Sequence, residues 1–129
     1  MSVDRLQFLP RIRIVLCQTS HPGNIGSAAR AMQTMGINQL VLVRPQTFPS
    51  PEAHALSAGA YDILDNARVV ETLGEGLAGC RWALSLSARR RELSLPCLDT
   101  RTAAEQLLNE AEHGDVALVF GTEMFGLSN

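Results

Sequence analysis

Short apolar runs divide this chain, and longer stretches of mixed polarity separate them. The runs are "RIRIVLC" (11–17), "QLVLVRP" (39–45), "YDIL" (61–64), "RWALSLSA" (81–88) and "DVALVFG" (115–121). Runs of this length rich in β-branched side chains read as strands, and amphipathic stretches of a dozen residues between them read as helices. Parallel strands need a crossover of about that length, whereas antiparallel neighbours need only a tight turn. The expected class is therefore α/β, a Rossmann-like parallel sheet flanked by helices.

The spacing predicts a first helix over "NIGSAARAMQTMG", with Asn24 as its N-cap and Gly36 as its C-cap. "PEAHALSAGA" reads as a short helix with Pro51 in its first turn, "YDIL" as a brief third strand, and "VVETLGEGLAGC" as a helix weakened by its glycines. "TRTAAEQLLNEAEHG" reads as a helix capped by Thr100 or Thr102, with Gly114 just past its end. "DVALVFG" is continuously apolar, as a strand buried on both faces should be. Only "TEMFGLSN" follows it, with no helix to cover the sheet beside it, so the chain reads as a fragment of a longer polypeptide.

With 129 residues, 46% hydrophobic and 19% charged, the chain is expected to fold as one domain. It has no apolar run long enough to cross a bilayer, and "MSVDRLQFLPR" has no signal-peptide h-region, so a cytoplasmic protein is expected. Cys17, Cys80 and Cys97 are odd in number and far apart, which signals neither a disulfide framework nor a metal site. The formal charge of −2 excludes a protein that grips nucleic acid by bulk charge alone. Yet all eleven basic residues are arginines, whose planar fork suits phosphates, and none lies beyond residue 101.

Three places carry candidate chemistry. In "SHPGNIGSAARAM", Gly23, Asn24 and Gly26 open a helix at the carboxyl edge of a parallel sheet, where backbone N–H groups can take an anion. The glycines can instead serve only to turn the chain. Arg30 follows on a helix face otherwise made of small residues, and calls for an anionic partner. In "VALVFGTEMFGLSN", Gly121 and Gly126 bracket Glu123 at the end of a strand. In "SLSARRRE", Arg89, Arg90 and Arg91 follow a strand end and read either as phosphate contacts or as a solvated loop. Trp82 reads as core. His21, His54 and His113 have no nucleophile or metal partner beside them and stay unassigned.

On these residues the chain resembles a known family. "HPGNIGSAARAMQTMG" is similar to the first motif, and "ALVFGTEMFGLSN" to the second, of the SpoU-type RNA 2′-O-methyltransferases of the SPOUT superfamily. With "LVLVRP", "ALSAGAYDIL" and "SLSARRRELSLPCLD", the pattern looks most like the TrmJ-type branch, which methylates the ribose of nucleotide 32 in the tRNA anticodon loop. The resemblance runs from about Arg11 to Asn129 and implies a single SPOUT domain over 1–129 that stops before the family's third motif, a Ser-Leu-Asn stretch. It further implies a C-terminal trefoil knot whose closing segment is absent from this chain, S-adenosyl-L-methionine as methyl donor, tRNA as substrate, a homodimer and no metal. Carried over, it implies Arg30, Asn24 and Glu123 as catalytic residues. Leu86, Ser87, Ala88, Gly121, Gly126 and Leu127 would line the cofactor, and Arg89 and Arg90 would hold substrate. The alternative is a non-catalytic nucleotide- or RNA-binding module of the same fold.

Overall fold

The computed structural model describes residues 3–19, 21–86 and 100–121. A 3-10 stretch (Val3–Arg11) leads into β1 (Ile12–Cys17), followed by α1 (Pro22–Met35), β2 (Gln39–Val43), α2 (Pro51–Leu56), α3 (Tyr61–Asp65), β3 (Arg68–Val70), α4 (Leu73–Gly76), β4 (Trp82–Leu86), α5 (Thr100–Ala111) and β5 (Val116–Gly121). The strands form one parallel sheet in the order β3-β2-β1-β5-β4.

That order decides which face each helix covers. Moving from β1 to β2, from β2 to β3 and from β4 to β5 takes the chain across the sheet in one direction, and only β3 to β4 goes back. Crossovers between parallel strands are right-handed, so α1, α2, α3 and α5 share one face and α4 takes the other. The core divides accordingly. Ile12, Ile14, Leu16, Leu40, Leu42 and Val116 pack against Ile25, Ala29, Met32, Ile63 and Leu107 on the helix-rich face. Val15, Cys17, Val41, Val43, Ala117 and Val119 form the second layer, with Leu73, Leu77 and Cys80 against it. β1 is buried along its whole length because it is central and covered on both sides.

Arg13 interrupts this apolar strand at 6% exposure. Its guanidinium donates to Gly76 O at 2.9 Å, Ala78 O at 2.7 Å and Gln39 Oε1 at 3.0 Å, and stands 3.6 Å from Asp115. A buried charge is tolerated only when its donors are satisfied, and here they fasten the end of α4 to the amino edge of the sheet. Arg11 donates from the same edge to the carbonyls of Ala111 and Glu112, closing the end of α5.

Two sequence expectations are corrected. "YDIL" is not a strand but α3, with Ile63 and Leu64 both buried; the third strand is Arg68–Val70, paired in parallel with Val41–Val43. A four-residue apolar run carries too few periods to separate strand from helix. The helix expected over "VVETLGEGLAGC" is also cut short: Val69 and Val70 belong to β3, and a capping box between Thr72 and Glu75 starts the four-residue α4. Gly76 there is a packing residue. A Cβ on it would lie 3.3–3.5 Å from Val41, Val43 and Val15, so α4 sits closely on the sheet at this residue.

The remaining strands and helices fall in the stretches expected of them. Gly36 ends α1 in the left-handed conformation at φ 81, its N–H reaching Gln33 O. Ser50 caps α2 by accepting from the N–H groups of Glu52 and Ala53, and Trp82 packs half-buried against the core.

Candidate active site

Of the described candidates, Leu86 and Gly121 end strands at the carboxyl edge of the sheet, and Asn24 stands in the first turn of the helix that starts there. Cys17 at the end of β1 pairs with Gly121 at the end of β5, and Leu86 at the end of β4 pairs with Phe120. Ligands of open parallel sheets bind at such an edge, because the loops leaving it diverge. Leu86 and Phe120 are 39% and 38% exposed. By strand alternation they share the face of Trp82 and Leu118, which is the face α1 covers. Two neighbouring apolar side chains are thus left open next to Gly121, beside the helix that starts from the same edge.

The entrance to α1 differs from the sequence expectation. The N-cap is His21, in extended conformation and without a side-chain cap bond, and Pro22 takes the first helical position. Proline's fixed φ starts the helix two residues before Asn24. Asn24 is therefore not the cap; it stands in the first turn, exposed, with its backbone N–H on His21 O at 2.9 Å.

The two glycines of this stretch face α2 rather than an open mouth. A Cβ at Gly26 would collide with the carbonyl oxygen of Ala53, and one at Gly23 would lie 2.8 Å from Leu56 Cδ1. Their place in the fold is a close crossing of two helices. Glu52 Oε2 also lies 3.4 Å from the Cβ position of Gly23. α1 has no acidic residue in its own first turn, so this carboxylate from α2 complements its positive end.

Arg30 is exposed two turns further along α1. At about 100° per residue it continues the stripe of Gly23 and Gly26 and diverges by about 120° from Asn24. The structure thus puts Asn24 at the carboxyl edge and Arg30 about 9 Å below it along the helix axis, about a third of a turn around the helix from it. Among the described residues the Arg30 guanidinium has no hydrogen-bond or ion-pair partner. Arg11, Arg13 and Arg81, by contrast, are each committed to an acceptor, Arg81 to Glu110 at 2.9 Å. Ser87, Ala88, Arg89, Arg90, Glu123, Gly126 and Leu127 lie outside the described residues.

His54 directs Nδ1 at Ser50 O, sets Nε2 3.7 Å from Asp65 and stacks beside Tyr61 at 5.6 Å, all within the α2–α3 layer. Burial pushes the Cys17 thiol up from its ordinary pKa. It does the same for Cys80, where nearby Arg13 offsets part of the effect and Asp115 adds to it. In both, burial favours the protonated thiol over the thiolate. Among the described residues no group of three or more His, Cys, Asp or Glu side chains could hold a metal ion.

Sequence reasoning missed two residues at this edge. Gln18 and Arg44, the first residues after β1 and β2, are left-handed at φ 51 and φ 48 although neither is glycine. The available signal was weak: Arg44 precedes Pro45 at a strand end.

Comparison with known proteins is consistent with this geometry. The SpoU rRNA Methylase family profile matches residues 11–129. Among curated relatives, a Pseudomonas aeruginosa protein named tRNA (cytidine/uridine/adenosine-2′-O-)-methyltransferase TrmJ is 57% identical over 122 residues, covering 94% of this chain and 48% of the relative. The Yersinia enterocolitica tRNA (cytidine/uridine-2′-O-)-methyltransferase TrmJ is 54% identical, covering 94% and 47%. Among solved structures, a probable methylase family protein from Haemophilus influenzae superposes with a TM-score of 0.81 at 49% identity, covering 94% of this chain and 49% of that one. TrmJ from Z. mobilis ZM4 superposes at 0.75 with 33% identity, covering 85% and 49%. The chain spans about half the length of the curated relatives it matches.

Proposed function

Because this chain belongs to the SpoU rRNA Methylase family, we propose that the protein methylates a ribose 2′-hydroxyl of tRNA, at nucleotide 32 of the anticodon loop, with S-adenosyl-L-methionine as donor. The names of its relatives support a tRNA ribose as substrate. The carboxyl edge suits the donor: beside Gly121 at the end of β5, the exposed pair Leu86 and Phe120 offers an apolar shelf against which a nucleoside ring can lie. Leu86 and Gly121 would hold the donor there, with Ser87, Ala88, Gly126 and Leu127 continuing its pocket. When bound, it supplies an electrophilic methyl group on a sulfonium.

The chain's own task is to make a poor nucleophile react. A ribose hydroxyl must lose its proton or have its developing negative charge stabilised. A guanidinium, with a pKa above about 12, is not a base in a protein. Arg30 therefore acts as a fixed cation that clamps the neighbouring phosphate and stabilises the developing alkoxide, and the proton leaves to that phosphate or to water. Asn24, exposed at the helix entrance, orients the ribose. Glu123 holds or orients the arginine, and Arg89 and Arg90 take further phosphates. A second copy of the chain completes the site.

One observation carries this reading: Arg30 is solvent-facing and without an acceptor among the described residues, while Arg11, Arg13 and Arg81 are used structurally. The test is single-turnover methylation of tRNA by the intact protein. Arg30→Ala and Arg30→Lys are both expected to lower the rate at least about a hundredfold, the scale of a lost charge-stabilising donor, with folding intact. An Arg30→Lys rate near wild type would overturn the clamp, because a single ammonium cannot make the two-point contact. Absence of methyl transfer by the wild-type protein would overturn the enzyme reading in favour of a binding module.

A further inference from the structure

Strands β1 and β2 leave the sheet in the same way. Cys17 is in register with Val43, so Gln18 and Arg44 occupy corresponding positions one residue beyond. Both are left-handed. Gln18 N–H donates to Val43 O at 2.7 Å, and Arg44 N–H donates to Val70 O at 2.9 Å, so each strand's exit is pinned to the last carbonyl of its neighbour. Gln46 N–H also donates to Thr19 O at 3.1 Å, which ties the loop after β2 to the loop that enters α1. Nearly equal positive φ angles at matched register place Gln18 and Arg44 as neighbouring residues at the exits of adjacent strands.

A left-handed backbone is strained for any residue with a Cβ and free for glycine. The chain nonetheless carries an amide and a guanidinium at these two places. Arg44 is exposed, and neither it nor the half-buried Gln18 has a side-chain partner among the described residues. Pro45 follows directly and stiffens the base on which Arg44 stands. The result is a cation held at a rigid strand exit, on the edge that carries Gly121 and Leu86 and against the loop leading to Asn24, at a position to which the sequence reading gave no role.

We infer that Arg44, with Gln18 beside it, is an additional phosphate-binding position for the RNA substrate at the carboxyl edge of the sheet. This rests on the reading of the protein as an RNA-modifying enzyme. Arg44 acts in binding: its fork takes a backbone phosphate, and the Gln18 amide offers a donor and an acceptor to the same nucleotide.

The experiment measures binding of the intact protein to an unmodified tRNA transcript by fluorescence anisotropy over a series of KCl concentrations. Arg44→Gln is expected to raise Kd several-fold at physiological salt and to lower the slope of log K against log salt by about one unit, the signature of one lost phosphate contact. Arg44→Gly is expected to weaken binding equally while its thermal midpoint does not fall, because glycine adopts this backbone freely. Arg68→Gln, an exposed arginine on the edge strand β3, is the control and is expected to leave both quantities unchanged. Unchanged Kd and slope in Arg44→Gln would overturn the assignment, as would an equal loss in Arg68→Gln, which would mean bulk charge. Methyl transfer by the wild type is scored separately. A slope that falls in a protein without methylation would leave the phosphate position standing and remove the enzyme reading.

Discussion

Gly23 and Gly26 have the same residue type, three positions apart on one helix, and the structure gives them different tolerances. A methyl group at Gly26 meets the backbone carbonyl of Ala53, which cannot move without displacing α2; at Gly23 it meets the tip of the Leu56 side chain, which can rotate away. Alanine in a helix gains roughly 1 kcal/mol over glycine, and overpacking costs about 1–3 kcal/mol or more. Gly26→Ala is therefore expected to lose at least about 2 kcal/mol, while Gly23→Ala stays within about 1 kcal/mol of wild type. Urea unfolding at one pH checks both, and equal losses would mean that α1 and α2 do not cross here. The glycines were visible in the sequence, but not their reason, because a turn, a ligand approach and a helix crossing ask for the same residue. Arg30 was legible in full as a cation without a local partner, since a lone arginine among alanines has little else to do. Gln18 and Arg44 were not, because a left-handed φ in a non-glycine residue is imposed by neighbouring strands.

At the scale of elements, helix entrances separate what local chemistry decides from what it does not. Ser50 is followed by Pro51 and an acidic residue, and it caps α2 as such a pattern should. In α1 the proline at position 22 wins over Asn24, and the cap position passes to a histidine whose side chain makes no bond. The two helices thus predict opposite outcomes for superficially similar changes. Ser50→Ala is expected to destabilise the fold by about 1 kcal/mol, whereas Asn24→Ala stays within about 0.5 kcal/mol, as an exposed first-turn position does. Thermal or urea midpoints of the two variants decide it; a loss near 1 kcal/mol for Asn24→Ala would restore the cap. The exchange between α3 and β3 has a similar origin. "YDIL" and "RVV" are both short enough to be either, and what made "RVV" the strand was the open edge of β2, where Val41–Val43 had backbone groups to pair.

For the whole molecule, strand order governs both stability and function. β1 lies between β2 and β5 with layers on both faces, while β3 and β4 are edges. Opening β1 requires breaking two ladders and both cores, so its amides, with those of β5, are expected to be the slowest to exchange in native-state hydrogen exchange, at or near the global unfolding free energy. Those of β3 and β4 should exchange by smaller openings. Protection in β3 equal to that in β1 would contradict the sheet order. The same order brings the ends of the first and last described strands together, so that Cys17 stands opposite Gly121 and residues more than a hundred positions apart share one rim. The sequence by itself determined the α/β class, the positions of β1, β2, α1, α5 and β5, and the identity of Arg30 as a candidate, because periodicity, proline, glycine and unpaired charge act within a few residues. Only the tertiary structure decided the strand order, the face of each helix, the crossing that uses Gly23 and Gly26, and the strained pair Gln18 and Arg44. Each of these depends on which distant backbone is within hydrogen-bonding or van der Waals reach, a quantity that no local pattern encodes.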